Sequence, residues 1–93
     1  MAIARINQFE AKAGAKEKVY VLLESMISTV RACPGCLSRL MLRGIGNPAC
    51  LAIIEQWDSV ESHRRAAQAI PLDKFSEAMT LFAKPASGMY YGG

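Results

Sequence analysis

The chain has 93 residues, of which 52% are hydrophobic, and it carries a formal net charge of +3. This length suits one domain, residues 1–93, and leaves no room for a separate cofactor-binding module, so any functional site must lie within the single core. The basic residues are scattered and do not form a stripe interleaved with aromatic residues. We therefore expect no nucleic-acid partner.

No apolar stretch approaches the ~20 residues that a membrane span needs, and no basic segment followed by an apolar one opens the chain. These features predict a cytoplasmic protein that does not bind membranes. A small domain has much surface relative to its core, and this one is unusually apolar. Some of its apolar surface is expected to be covered by a partner, and a second copy of the chain is the simplest partner.

The first half of the chain predicts a strand followed by a helix. Residues 2–9 alternate so that Ile3, Arg5, Asn7 and Phe9 share one face, as in a β-strand. From Ala15 the apolar residues recur with helical spacing, at Val19, Leu22, Leu23, Met26, Ile27 and Val30. Pro34 and Gly35 end this helix, because proline cannot continue it and glycine accommodates the turn.

The middle of the chain predicts a β-hairpin. Residues 36–43 and 49–57 have strand-like patterns, and the segment between them, 44–48, is rich in glycine, asparagine and proline. Its Gly44-Ile45-Gly46 lacks the third glycine and the following helix of a dinucleotide-binding loop. We interpret it as a turn and predict no cofactor.

The last third predicts two helices and a final strand. Asp58 or Ser59 can cap the first helix, with Glu61 in capping-box spacing after Asp58. Pro71 suits the first turn of the second helix. Residues 86–91 follow Pro85 and suit a strand. The side chains expected to point inward from the second of these helices are Leu72, Phe75, Ala78, Met79 and Phe82.

The resulting order is strand, helix, strand, strand, helix pair, strand. This order predicts an α+β fold of the ferredoxin-like, split βαβ type, with a four-stranded antiparallel sheet. Helices on one face of such a sheet leave its other face bare, and the middle strands here would give that face aliphatic residues. Two chains packed sheet to sheet would hide both faces, so we expect a homodimer.

Two cysteines form a C-x-x-C motif at Cys33 and Cys36, a pattern used in thiol-disulfide exchange and in zinc sites. The motif follows a helix, where the dipole disfavours a thiolate, whereas redox cysteines start one. The other candidate zinc ligands, Cys50 and His63, lack paired spacing. We expect a tight turn with incidental thiols and no metal, and retain thiol redox activity as the weakest alternative.

A cluster of polar and aromatic residues runs from Glu55 to Ser59, and His63 follows four residues later. Strand alternation places Ile53, Glu55 and Trp57 on one face, and His63 falls in the first turns of the next helix. Trp57 and His63 are expected to meet at this strand-helix corner. By residue type alone, a core tryptophan and a partly exposed histidine are the commoner interpretation.

The chain resembles the antibiotic biosynthesis monooxygenase family along nearly its whole length. The resemblance lies in the first strand, the helix ending in residues 34–37, the Glu-x-Trp-x-Ser string of residues 55–59, and Phe75. It implies a dimeric α+β barrel with an apolar cavity between the sheet and the helices of each subunit. In the best understood branch of the family, it also implies oxygenation of a phenolic, polyketide-like substrate without a cofactor, in which the deprotonated substrate itself reduces dioxygen.

In that branch of the family the cavity needs an acceptor for one proton and donors for the developing oxyanion. Trp57 matches the family tryptophan and can donate from its indole N–H, and His63 stands where the branch has a tyrosine. Ile53, Glu77 and Ala66 replace an asparagine, an arginine and a histidine of the family.

A second branch degrades haem with an asparagine, a tryptophan and a ligand histidine. Asn7 matches the asparagine, but the other two positions are Ala66 and Met79, so we do not expect haem degradation. Our leading hypothesis is a cofactor-independent monooxygenase, or a related oxidoreductase, for an aromatic or enolisable small molecule. Asn7, Trp57 and His63 are predicted to face its pocket. The competing hypothesis is a non-catalytic or stress-related dimer that binds a small molecule in the same cavity.

Overall fold

A computed structural model of the chain describes residues 2–93. The chain forms one four-stranded antiparallel sheet, as predicted for the ferredoxin-like α+β fold. Among residues 2–93, no helix is both long and apolar enough to cross a membrane. The elements are β1 (Ile3–Glu10), α1 (Lys16–Arg31), β2 (Cys36–Arg43), β3 (Cys50–Trp57), α2 (Val60–Ala67), α3 (Leu72–Thr80) and β4 (Ser87–Tyr91). The strand order in the sheet is β2-β3-β1-β4.

The turn between α1 and β2 depends on Gly35. Its φ of +92° lies in the left-handed region, which only glycine adopts without strain. A β-carbon at this position would also overlap Ser62 of α2 and the carboxyl group of Asp58. The Gly35 carbonyl accepts a hydrogen bond from the backbone N–H of Asp58 (2.9 Å), which ties the turn to the end of β3.

Helix α2 is capped by Ser59, one of the two predicted candidates. The Ser59 hydroxyl accepts a hydrogen bond from the backbone N–H of Ser62 (3.2 Å) and lies 3.1 Å from the Ser62 hydroxyl. Ser62, rather than the predicted Glu61, is thus the residue that interacts with the cap. The cap fixes where α2 begins and therefore where His63 stands relative to β3.

Helix α3 differs from the prediction in the direction of its side chains. Only Ala78 of α3 is buried, whereas Leu72, Phe75 and Met79 are 84%, 46% and 51% exposed. Phe82, predicted as part of the helix face, lies beyond the end of α3, where it is buried and pairs with Ala11 in an isolated bridge. The inward orientation predicted for Leu72 and Met79 is wrong, because this nine-residue helix packs closely only through its small residue. Phe75 is half-exposed but still lines the cavity between the sheet and the helices.

The core lies between α1 and the inner face of the sheet. Helix α1 buries one face against the sheet, and β3 contributes Leu51 and Ile53. A second cluster unites Trp57, Val30 and Ala66 at the end of β3 nearest α2. Trp57 is completely buried there. The buried residues of α1 are Val19, Leu23, Met26, Ile27 and Val30.

The outer face of the sheet carries no helix in the described chain. Leu40, Ile54, Ile6 and Met89 are paired neighbours across its four strands. The sheet alternation places them opposite the core-facing side chains. Of these, Leu40 and Met89 are 54% and 59% exposed. The bare apolar face expected from the sequence is therefore present.

Candidate active site

A row of polar side chains crosses the inner face of the sheet. Arg39 of β2 pairs with Glu55 of β3, Glu55 pairs with Arg5 of β1, and Arg5 pairs with Tyr90 of β4. Residues paired in this way project on the same side of an antiparallel sheet. Four strands therefore bring four polar residues, distant in sequence, into one row beneath the helices.

Glu55 lies at the centre of this row and is 3% exposed. Its Oε2 is paired with an Arg39 guanidinium nitrogen (2.5 Å), and its Oε1 accepts a hydrogen bond from the indole N–H of Trp57 (2.9 Å). The Nε2 of His63 stands 3.6 Å from the same Oε1. A buried carboxylate is stable only when it is paired and hydrogen-bonded, and these contacts satisfy both oxygen atoms.

His63 projects from α2 into this network. Its Nδ1 lies 2.7 Å from the Tyr90 hydroxyl, and its ring packs edge-on against Trp57, with 5.5 Å between the ring centroids. Burial lowers the pKa of His63 below its ordinary value, and the guanidinium of Arg5 adds to this effect, while Glu55 opposes it. His63 is therefore neutral near pH 7, and an imidazole in this state can accept a proton.

Arg5 and Asn7 form a donor group next to His63. The Nε–H of Arg5 donates to Oδ1 of Asn7 (3.0 Å), which leaves the amide N–H groups of Asn7 for another acceptor. The Arg5 guanidinium lies over the Tyr90 ring, 4.6 Å from its centroid. A β-carbon at Gly88 of β4 would overlap the ends of both the Arg5 and Asn7 side chains, so a larger residue here would displace them.

These groups line a cavity of about 300 Å³ between the sheet and the three helices. Polar groups of Arg5, Asn7, Arg39, Glu55 and His63 contribute to its wall. A mostly apolar cavity with a few convergent polar groups is typical of small-molecule sites. The rest of the wall is largely apolar and includes Phe9, Leu23, Met26, Val30, Ile53, Ile70 and Phe75.

The structure brings together the three residues that the sequence analysis selected, but it places them differently around the cavity. Asn7 and His63 line it, whereas Trp57 lies behind Glu55 and is not part of the wall. The Trp57 indole N–H, expected to be available to a ligand, is bonded to Glu55. Trp57 and His63 meet at the strand-helix corner, as expected.

Four further residues of the site were not predicted from the sequence, namely Glu55, Arg39, Arg5 and Tyr90. The strand alternation did contain a signal for two of them, since Arg5 and Glu55 share a face with apolar residues that must be buried. A charge at such a position needs a buried partner. Arg39 and Tyr90 had no comparable signal, because only the register of the strands places them next to Glu55 and Arg5.

Four positions differ from the residues expected in the two family branches, and they lie in different parts of the structure. They are Ile53, Ala66, Glu77 and Met79. Ile53 is buried and lines the cavity, so an apolar group replaces the asparagine there. Glu77 and Met79 are exposed on α3, and Ala66 is buried behind the wall. Of these four positions, only Ile53 is in the cavity wall.

The cysteines lie away from the cavity wall. Cys33, Cys36 and Cys50 are free thiols. Burial raises the pKa of Cys36, which disfavours the thiolate that a redox cysteine needs. No three His, Cys, Asp or Glu side chains converge as a metal site would require anywhere in residues 2–93.

Comparison with known proteins identifies the family. The sequence model of the antibiotic biosynthesis monooxygenase family matches residues 2–80. The chain belongs to this family. No curated protein sequence matches the chain.

Solved structures support the same fold for this family member. Rv0793 from Mycobacterium tuberculosis has a TM-score of 0.87 at 21% identity, covering 100% of this chain and 95% of that one. SnoaB, a cofactor-independent oxygenase from Streptomyces nogalater, has a TM-score of 0.85 at 18% identity, covering 99% and 92%. A conserved protein from Methanosarcina mazei has a TM-score of 0.88 at 18% identity, covering 98% and 91%. At these identities the likeness shows the shared fold alone.

Proposed function

We propose that this member of the family is a cofactor-independent monooxygenase for an electron-rich aromatic or enolisable small molecule. The observation that carries the proposal is the placement of His63 and Asn7 on the wall of an apolar cavity, with the Glu55 carboxylate directly behind His63. A neutral base and an oxyanion donor beside an apolar space are what such a reaction requires of the protein.

His63 accepts the proton of a substrate hydroxyl at Nδ1, where this hydroxyl takes the place of the Tyr90 hydroxyl, because Nε2 faces Glu55. Its lowered pKa keeps the ring neutral at pH 7, and Glu55 stabilises the imidazolium that forms. Trp57 acts through Glu55 and His63, since its N–H holds the carboxylate and its ring packs against the imidazole. We assign Trp57 a positioning role rather than contact with the substrate.

Asn7 and Arg5 stabilise the oxyanion that remains on the substrate. The electron-rich anion then reduces dioxygen, and a carbon–oxygen bond forms to give a peroxide. Loss of the carbon-bound proton and cleavage of the O–O bond leave one oxygen atom as a new carbonyl and release the other as water. A phenol and dioxygen thus give a quinone and water, so the substrate supplies all the electrons.

The name of SnoaB as a cofactor-independent oxygenase supports this class of reaction for a protein of the same fold. The reaction needs only dioxygen and a diffusible substrate, which is compatible with the cytoplasmic location predicted from the sequence. The competing function is binding without turnover, because the same cavity would hold a small aromatic ligand even if His63 never accepted its proton.

The test is an oxygen-consumption assay with a panel of naphthols, naphthoquinols and anthrones in the presence of a metal chelator. We expect one dioxygen to be consumed for each quinone formed, no release of hydrogen peroxide, and label from isotopic dioxygen in the new carbonyl. Release of hydrogen peroxide would show simple oxidation instead. Tight binding of panel members without any oxygen uptake would favour the binding protein.

We also propose that two chains pair through the bare sheet face. The exposed Leu40 and Met89, together with Leu42 and Tyr91, give this face more exposed apolar side chains than a lone sheet usually presents to water. A glutamate in place of Leu40 would bring two charges into the interface. We therefore expect Leu40→Glu to halve the mass measured by analytical ultracentrifugation.

The control for this substitution is Val21→Glu, at a position on α1 that is 62% exposed and lies on the opposite side of the domain from the bare sheet face. It adds the same charge and should leave the pair intact. A wild-type chain that sediments as a monomer at micromolar concentration would contradict the proposal, as would a Leu40→Glu variant that remains paired.

A further inference from the structure

One buried donor in the cavity wall has no acceptor. The Arg39 side chain is 5% exposed; its terminal nitrogens contact Glu55 and the Ile27 carbonyl, but its Nε–H has no hydrogen-bond partner within residues 2–93. An unpaired buried donor costs about 1–3 kcal/mol, so such groups are rare in folded proteins. Arg39 lines the cavity, but its Nε atom has almost no exposed surface, so a ligand supplies the missing acceptor by turning the Arg39 side chain slightly toward the cavity.

The charges around the cavity indicate what kind of acceptor fits. Arg39 and Glu55 neutralise each other as an ion pair. A second carboxylate beside Arg39 would place two negative charges around one guanidinium where little water is present, which is costly. A neutral carbonyl oxygen accepts the same hydrogen bond without this repulsion. Arg5 has no carboxylate partner within residues 2–93 and remains available for the oxyanion of the substrate.

The sheet also sets where this oxygen would lie. Arg39 and Arg5 stand on either side of Glu55, two strands apart, which places their backbones roughly 10 Å from each other. The Arg39 end of the cavity is therefore separate from the end formed by Asn7 and His63. A fused-ring compound suits this span, with its reacting hydroxyl at one end and a second oxygen at the other.

We propose that the substrate carries a neutral carbonyl oxygen at the end remote from the hydroxyl that loses its proton, and that the Nε–H of Arg39 binds this oxygen. The assignment of the reacting end rests on the proposed function. Binding of the carbonyl does not require turnover, so it is measurable without oxygen.

The test compares naphthoquinols that carry an acetyl, an ethyl or a carboxylate group on the ring distal to the hydroxyls. Affinities are measured by calorimetry under anaerobic conditions with the full chain. The wild type should bind the acetyl compound at least about 10-fold more tightly than the ethyl compound, as a hydrogen bond to a charged donor predicts. Arg39→Lys keeps a positive charge for Glu55 but lacks the Nε–H. We expect it to bind the two compounds with nearly equal affinity.

Arg43→Lys is the matched control, because Arg43 lies on the same strand but pairs with Glu17 outside this cavity. It should keep the wild-type preference. If Arg39→Lys is too unstable to purify, the double variant Arg39→Met with Glu55→Met removes both the ion pair and every hydrogen-bond donor at position 39, and it is expected to lose the preference as well.

Equal binding of the acetyl and ethyl compounds by the wild type would overturn the inference, as would a preference that survives Arg39→Lys. Tighter binding of the carboxylate compound than of the acetyl compound would overturn the neutral carbonyl. A preference that depends on Arg39, without any oxygen uptake, would uphold the inference and reject the oxygenase function. Oxygen uptake without any preference for the acetyl compound would reject the inference and uphold the oxygenase function.

Discussion

Replacing His63 by phenylalanine is expected to lower kcat for the best substrate of the panel by about 10² to 10⁴-fold, the usual contribution of a positioned general base. Phenylalanine keeps a ring of similar shape between Trp57 and Tyr90, so the packing of α2 on the sheet should survive. Loss of rate would then reflect the missing nitrogen atoms. The measurement is initial oxygen uptake together with ligand affinity measured without oxygen.

The comparison variant is Tyr90→Phe, which removes one hydrogen bond to Nδ1 of His63 but leaves the base in place. Its rate should fall by less than about 10-fold, since a single neutral hydrogen bond contributes about 1 kcal/mol. A His63→Phe variant that turns over as fast as the wild type would remove His63 from the mechanism. The proton acceptor would then have to be sought elsewhere in the cavity.

The pH dependence of kcat/KM provides a second test of the role of His63. Burial lowers the pKa of His63, so the neutral, active form persists to a pH below the ordinary histidine value of about 6.5. We expect kcat/KM to be constant near neutral pH and to fall only below about pH 6.5, where the imidazole becomes protonated. This acid limb should be absent from the residual activity of His63→Phe.

Replacing Glu55 by alanine is expected to destabilise the protein by about 3–5 kcal/mol, the usual cost of removing one partner of a buried ion pair. The change leaves the Arg39 guanidinium without its carboxylate and the Trp57 N–H without its acceptor. Because small domains are stable by only about 5–15 kcal/mol, this is a large share of the total. Urea unfolding at a fixed protein concentration measures the change.

The matched control for Glu55 is Glu17→Ala, which breaks the ion pair with Arg43 on the surface. The Glu17 side chain is 68% exposed, so solvent screening should keep its effect small. The double variant Arg39→Met with Glu55→Met removes both buried charges and should recover much of the lost stability. The interpretation fails if Glu55→Ala unfolds at the same urea concentration as Glu17→Ala.

The predicted fold agrees with the structure because its signals are local. The period of α1, the hairpin turn of residues 44–48 and the cap at Ser59 each depend on neighbours in sequence. Helix α3 is the exception. Its apolar spacing predicted an inward face, but the exposure of Leu72 and Met79 depends on how closely the short helix approaches α1, and that distance is a tertiary property.

The site was only partly predictable. Asn7 and His63 were selected from the sequence and line the cavity, yet the role of Trp57 changed once its N–H was found on Glu55. Glu55 was named in the sequence cluster but was not recognised as the centre of the site. Its importance comes from Arg39 on one neighbouring strand and Arg5 on the other, and no sequence spacing reports those pairings.

The amino-acid sequence by itself determined the order of the elements, the bare apolar face and the resemblance to the family, because alternation and helical period are properties of adjacent residues. The tertiary structure decided what the polar residues do. The strand register aligns Arg39, Glu55, Arg5 and Tyr90 across the sheet, and the capped start of α2 sets His63 against that row. Burial then lowers the pKa of His63 and leaves the Nε–H of Arg39 without an acceptor in residues 2–93.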